Sequence, residues 1–189
     1  MHITVDARLL AHGGTTGIPG YTRDLISALI KHPSASSGQV HLNLFYNGLR
    51  KQPLPNEWRS APNVTIIEKN IPNRLLDFSF RFFNAPKIER FKTGSLGVAR
   101  ADIRPNVIFS PHFNLLPQTK TPRVITFHDL SFLHYPQFFS GQQQFWHNLQ
   151  RYRKQAESAA QIIAVSEFTK RDLINLLKIP AEKISVVYS

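Results

Sequence analysis

Apolar residues recur along this chain in two alternating rhythms. Short runs of β-branched and large apolar residues are separated by longer stretches with helical spacing. His2 to Val5 opens as a strand. A helix follows to about Lys31, with Ile18, Tyr21, Leu25, Ala28 and Leu29 spaced by three and four along one face. Val40 to Tyr46 places Leu42, Leu44 and Tyr46 on alternate positions as a second strand. Val64 to Glu68 is a third, after the turn-prone Ala61-Pro62-Asn63. Val107 to Ser110 and Arg123 to Phe127 are two more, joined by a loop from Pro111 to Thr121. A loop with Tyr135-Pro136 precedes a helix from about Gln142 to Ser158, and Ile162 to Val165 is again a strand. Ser166 is placed to N-cap a helix that reaches Leu177, Pro180 breaks it, and Ile184 to Tyr188 is the last strand. Strands alternating with crossover helices predict an α/β fold: an open, Rossmann-like parallel sheet with helices on both faces.

Residues 71–104 do not obey either rhythm cleanly. Leu75, Leu76, Phe78, Phe80, Phe82 and Phe83 are apolar at both helical and strand spacings, and Pro86 ends a first helix there. The simpler expectation is a helix that packs its phenylalanines inside. Charge changes that picture. The chain carries 23 Lys and Arg against 12 Asp and Glu, a net +11. Between residues 69 and 104 stand eight of those bases (Lys69, Arg74, Arg81, Lys87, Arg90, Lys92, Arg100, Arg104) and only Asp77, Glu89 and Asp102 among the acids. Basic side chains interleaved with aromatics suit an anionic surface, so a peripheral contact with an anionic membrane through 71–104 is the second expectation.

Composition excludes several chemistries. With no cysteine there is no disulfide, no thiolate metal site and no cysteine nucleophile. No window approaches the roughly 18 apolar residues of a spanning helix. The first residues lack the layout of a secretory signal, because Asp6 and Arg8 interrupt the only short apolar stretch.

The candidate chemistry gathers at strand ends. Gly13, Gly14, Gly17 and Gly20 follow the first strand and open a helix, where free N–H groups and the helix dipole favour a phosphate. Gly14, Gly17 and Gly20 make G-x-x-G-x-x-G, which is not the dinucleotide fingerprint, and no acid ends the second strand to grip a ribose. A plain structural turn is the alternative at this loop. His128 and Asp129 end the Arg123–Phe127 strand, and His112 ends the preceding one. Ligands in open α/β sheets bind outside such ends, and an imidazole there can be oriented by a carboxylate or donate to a substrate oxygen. Ser166 stands on the same rim, above all as a cap.

Val5-Asp6-Ala7-Arg8, Thr16-Gly17-Ile18-Pro19-Gly20-Tyr21-Thr22, Thr126-Phe127-His128-Asp129-Leu130-Ser131-Phe132 and Val165-Ser166-Glu167-Phe168-Thr169-Lys170 together resemble the N-terminal domain of family 4 (group 1) glycosyltransferases. The closing Lys183-Ile184-Ser185-Val186-Val187-Tyr188 resembles the strand that leads to that family's interdomain hinge. The resemblance runs over 1–189 and implies the acceptor-side half of a GT-B fold. A C-terminal donor domain with an E-x7-E motif, not represented here, would grip the nucleotide-sugar, so the chain alone is expected to be inactive. Such enzymes retain anomeric configuration, use the nucleotide-sugar as co-substrate and generally need no metal or other cofactor. By motif, Gly17 with Ile18 would lie near the donor diphosphate and His128 would face the transferred sugar. Asp129 follows His128 in the motif and is taken with it as catalytic, and His112 and Ser166, by their places at strand ends on the same rim, are taken as substrate-binding. The loop departs from the family's frequent Gly-Ile-Gly-Arg-Tyr, since Pro19 and Gly20 fill its third and fourth places. The implied partners are a nucleotide-sugar donor and a glycan or lipid-linked acceptor, with no nucleic acid, and the implied location is cytoplasmic or peripheral on the inner face of the membrane. The competing reading is a basic module that binds nucleic acid or an anionic surface without catalysis, against which no helix-turn-helix, RNP or zinc-finger pattern is present.

Overall fold

The computed structural model describes residues 1–32, 34, 39–88 and 104–188. Seven strands, β1 (His2–Asp6), β2 (His41–Asn47), β3 (Val64–Lys69), β4 (Val107–Ser110), β5 (Arg123–Phe127), β6 (Gln161–Ala164) and β7 (Ile184–Val186), form one sheet. Their order is β3-β2-β1-β4-β5-β6-β7, and every neighbouring pair is parallel. The chain starts in the middle of the sheet, winds outward through β2 and β3, then returns beside β1 as β4 and winds to the opposite edge. The connections leaving β1 and β4 therefore diverge, which opens a crevice above their carboxyl ends. The parallel, Rossmann-like α/β architecture is the one the sequence predicts.

Seven α-helices are described: α1 (Gly17–Lys31), α2 (Asn56–Ser60), α3 (Asn73–Phe83), α4 (Ser131–His134), α5 (Gly141–Leu149), α6 (Tyr152–Ser158) and α7 (Glu167–Leu177). β2 explains why both faces need cover. Leu42, Leu44 and Tyr46 join Ile26 of α1 and Trp58 of α2 in one core cluster, whereas Phe45 joins Leu76 and Phe80 of α3 in another. A third cluster packs Ile125, Phe127 and Ile162 against Leu173 and Leu177 of α7. Strand side chains point alternately to the two faces, so a strand buried on both sides reads as an unbroken apolar run.

Three expectations are corrected. The α1 face that packs inward is centred on Thr22 and Ile26, while Ala28 is exposed. Thr22 fits because its hydroxyl donates to the Ile18 carbonyl at 2.8 Å, which satisfies it without water. The single helix from Gln142 to Ser158 is two, broken at Arg151, which adopts a left-handed conformation with φ 52°. The third concerns α3: only Leu76 and Phe80 are buried, and Leu75, Phe78, Phe82 and Phe83 are exposed. The inward-packing helix expected there buries one of its four phenylalanines. Arg90, Lys92, Arg100, Glu89 and Asp102 of the basic stretch lie outside the described residues.

Candidate functional site

Local structure carries the glycine loop to the rim. Gly17 begins α1 with φ +62°, a left-handed conformation that favours glycine, and a Cβ built on it would meet nothing within 4 Å. Thr16 precedes it without a side-chain cap on the helix. The first-turn N–H groups of a 15-residue helix are thus open to an anion. Gly20 has a different reason: a Cβ there would stand 2.7 Å from the Thr15 carbonyl oxygen. Close packing of the loop on its own helix thus keeps a larger residue out of this position. Ile18 is half-buried on the same turn.

One turn further along α1, Tyr21 reaches β5. Its hydroxyl lies 3.3 Å from Thr126 Oγ1, and its ring meets His128 edge-on at 4.8 Å between centroids. His128 Nε2 donates to the Pro111 carbonyl at 2.9 Å. With that nitrogen protonated, a neutral His128 keeps Nδ1 as a lone-pair acceptor. Burial holds the His128 pKa below the ordinary imidazole value, against the opposing pull of the Pro111 carbonyl and Asp129. His112 stands 6.0 Å from His128, ring to ring, and its Nδ1 is buried without a hydrogen-bond partner. Burial, helped by His128, lowers the His112 pKa to about 4. Two neutral imidazoles therefore share the rim above β4 and β5 near pH 7.

Asp129 does not orient His128. It is exposed, and its Oδ1 accepts from the backbone N–H of Ser131 at 3.0 Å and from the Ser131 hydroxyl, fixing the turn into α4. The imidazole is held by the Pro111 carbonyl instead. Ser166 caps α7, its Oγ accepting from Thr169 N–H at 3.1 Å. Thr169 Oγ1 then donates to the His128 carbonyl at 3.0 Å, so the cap of α7 is tied to the backbone of the histidine.

A second part of the rim was not singled out from the sequence. A cleft of about 280 Å³ opens above β1, lined by Arg8, His12, Asn73, Arg74, Asp77 and Asn114, with Trp146 and Gln150 from α5 and its end. Its floor is an ion-pair network. Arg8 bridges Asp6 at 2.8 Å and Asp77 at 3.3 Å, and also donates to the Leu115 carbonyl at 2.9 Å. Burial works against the Arg8 charge, but the two carboxylates outweigh it and hold its pKa above the ordinary arginine value. Burial pushes the Asp77 carboxyl up, with Arg8 pulling it back. The signal was present in Val5-Asp6-Ala7-Arg8, an acid and a base at a strand's carboxyl end, but Asp77 and Trp146 come from distant segments that only the fold unites. Among the described residues no group of three or more histidines or acids is placed to hold a metal ion.

Residues 38–189 match the model of the family described as Glycosyltransferase Family 4. The matched span includes His112, His128, Asp129, Asp77, Trp146 and Ser166, and begins after the glycine loop. No curated protein matches the chain.

Proposed function

The chain belongs to glycosyltransferase family 4, and we propose that it is the acceptor-side half of a transferase that moves a sugar, with retention, from a nucleotide-sugar to a glycan or lipid-linked acceptor. The observation that carries the reading is one rim with three adjoining parts. The open first turn of α1 at Gly17 and Ile18 suits the diphosphate of the donor. Its N–H groups would meet the charge that develops on the leaving oxygen as the anomeric bond breaks.

His128 faces the transferred sugar in this reading. A neutral imidazole with its Nε2–H committed to Pro111 offers Nδ1 to a sugar hydroxyl, and adds no positive charge beside a cationic sugar centre. His112 backs it, and Asp129 and Ser166 shape the two turns that hold the rim rather than touching the reacting atoms. The cleft receives the acceptor. Trp146 supplies an apolar face, and Asp77, Asn73, Asn114 and Gln150 supply donors and acceptors that match the hydroxyls of a saccharide. The acceptor oxygen bonds to the anomeric carbon, and its proton leaves with the departing diphosphate. A donor-binding domain facing this rim would hold the nucleotide, and no metal is needed for these steps.

The test is sugar transfer by the protein carrying this domain together with its donor-binding domain, offered a panel of nucleotide-sugars and saccharide acceptors. Proton NMR of the first product formed reads its anomeric configuration. A product that keeps the donor's configuration is expected. An inverted product would overturn the retaining mechanism, and no transfer to any acceptor while donor hydrolysis proceeds would overturn the acceptor assignment.

A further inference from the structure

The last turn of α3 joins two features that the transfer site does not use. The first is a ridge. Phe78, Phe82 and Phe83 are 54 %, 64 % and 70 % exposed, with Leu75 at 62 % beside them. The Phe78 ring lies 4.6 Å from Phe82 and 6.2 Å from Phe83, so the three form one contiguous aromatic surface. Single exposed apolar residues are ordinary on a protein surface, whereas a contiguous cluster of this size marks an interaction site.

The second is a groove of about 190 Å³ between α3 and α6, into which Arg81, Arg151 and Lys154 all face. Among the described residues no carboxylate lines it. Arg81 donates to the Leu149 carbonyl at 3.3 Å, and among the described residues none of the three cations forms an ion pair. Behind the groove a fourth cation is buried. Arg123 is 6 % exposed and, among the described residues, its side chain bonds neutral oxygens alone, Gln155 O at 3.3 Å and Ser158 Oγ at 3.1 Å, both residues of the groove wall. Burial lowers its pKa to about 10, which leaves it charged near neutrality. Arg151 takes its place in a left-handed conformation, where a glycine would be less strained.

We infer that this face docks on an anionic bilayer, with lipid phosphates in the Arg81–Arg151–Lys154 groove and the Phe78–Phe82–Phe83 ridge in the headgroup–acyl boundary. Charge and shape agree on this occupant. Cations without carboxylate partners call for an anion, and aromatic rings at their side call for an apolar phase within a few ångströms of it. A free phosphate would leave the ridge in water, and a neutral apolar partner would leave the cations unpaired. α3 also turns Asn73, Arg74 and Asp77 into the cleft, so the docked helix would set the mouth of that cleft beside the lipid surface. The surface stands whether or not the chain transfers sugar.

The test is co-sedimentation of the chain with vesicles of phosphatidylcholine alone and of phosphatidylcholine with roughly a third phosphatidylglycerol, at about 0.15 M salt. Binding to the anionic vesicles and not to the neutral ones is expected. R151G with K154S should weaken it about tenfold or more, since each cation near such a surface contributes several-fold. F78S with F82S should weaken it comparably while every cation remains. All four positions are exposed, and thermal unfolding of both double variants at or above the wild-type temperature confirms that the fold is intact. Equal binding to both vesicle types, or full binding by either double variant, would overturn the proposal. Binding of inorganic phosphate with no binding to anionic vesicles would overturn it too, since the groove would then serve a free phosphate. Tight binding to a single-stranded oligonucleotide with no vesicle binding would replace the bilayer with nucleic acid.

Discussion

His112 shows what burial does to one titratable ring, and the consequence is measurable. Its folded pKa of about 4 lies below the 6.5 of an exposed imidazole, because the buried ring resists protonation and His128 adds to that resistance. Above about pH 7 the ring is neutral in both folded and unfolded chains, so it contributes no pH dependence. As pH falls through 6.5 the unfolded chain takes up a proton that the folded one refuses, and stability drops until the folded ring titrates near pH 4. The full loss is about 3 kcal/mol, most of it spent between pH 6.5 and 4. Asp77 titrates with the opposite sign, since its raised folded pKa favours the folded state as acid is added. The clean measurement is therefore the difference between wild type and H112F in urea denaturation across that window. Wild type should lose stability relative to H112F as pH falls. A difference that stays constant from pH 7 to 4 would show that His112 is not held neutral by the fold.

At the scale of elements, α7 offers the sharpest check. Ser166 accepts from Thr169 N–H, so S166A should destabilise the domain by about 1 kcal/mol in chemical denaturation, and S166D should recover most of it. The cap was legible because a serine stood between a strand and an amphipathic run, and the seven strands because each is a short β-branched or alternating apolar run set off from the longer helical stretches. The elements that escaped were those where tertiary contacts overrule local rhythm. The break in the Gln142–Ser158 helix carries no proline or glycine. Gln150 Oε1 instead accepts from the Leu115 N–H at 2.6 Å, and the chain turns left-handed at Arg151 before re-entering a helix. Burial of only Leu76 and Phe80 on α3 could not be read from a segment whose apolar residues suit every spacing. Of the candidate site, the closeness of His112 and His128 was legible because they end adjacent strands, β4 and β5, which the fold pairs. The Arg8–Asp77 contact spans 69 positions in the sequence, and no periodicity reports a pair so far apart.

On the scale of the whole molecule, the proposed function divides the rim between two tasks, and kinetics should separate them. The cleft at β1 and the imidazoles at β4 and β5 are linked by a run of rings: His128 to His112 at 6.0 Å, His112 to Phe113 at 4.0 Å, and Phe113 to His147 at 6.3 Å, one residue from Trp146. His147 itself stacks on Phe132 at 4.1 Å with the planes 3° apart, which fixes the helix that carries Trp146. On the proposed function, Trp146 meets only the acceptor and His128 meets only the transferred sugar. W146A should then raise the acceptor KM about tenfold or more, the value of an aromatic face worth roughly 1–3 kcal/mol, and leave donor hydrolysis in the absence of acceptor unchanged. H128A should lower transfer and donor hydrolysis together, with the acceptor KM little altered, because an interaction with the reacting sugar is lost in both reactions. H128Q, which keeps a hydrogen-bonding tip, should recover part of that loss. If W146A slows donor hydrolysis as much as H128A does, the rim works as a single site and the division between acceptor cleft and sugar-facing histidine is wrong. If H128A changes only the acceptor KM, His128 belongs to the acceptor, and the transferred sugar must be met by another part of the rim.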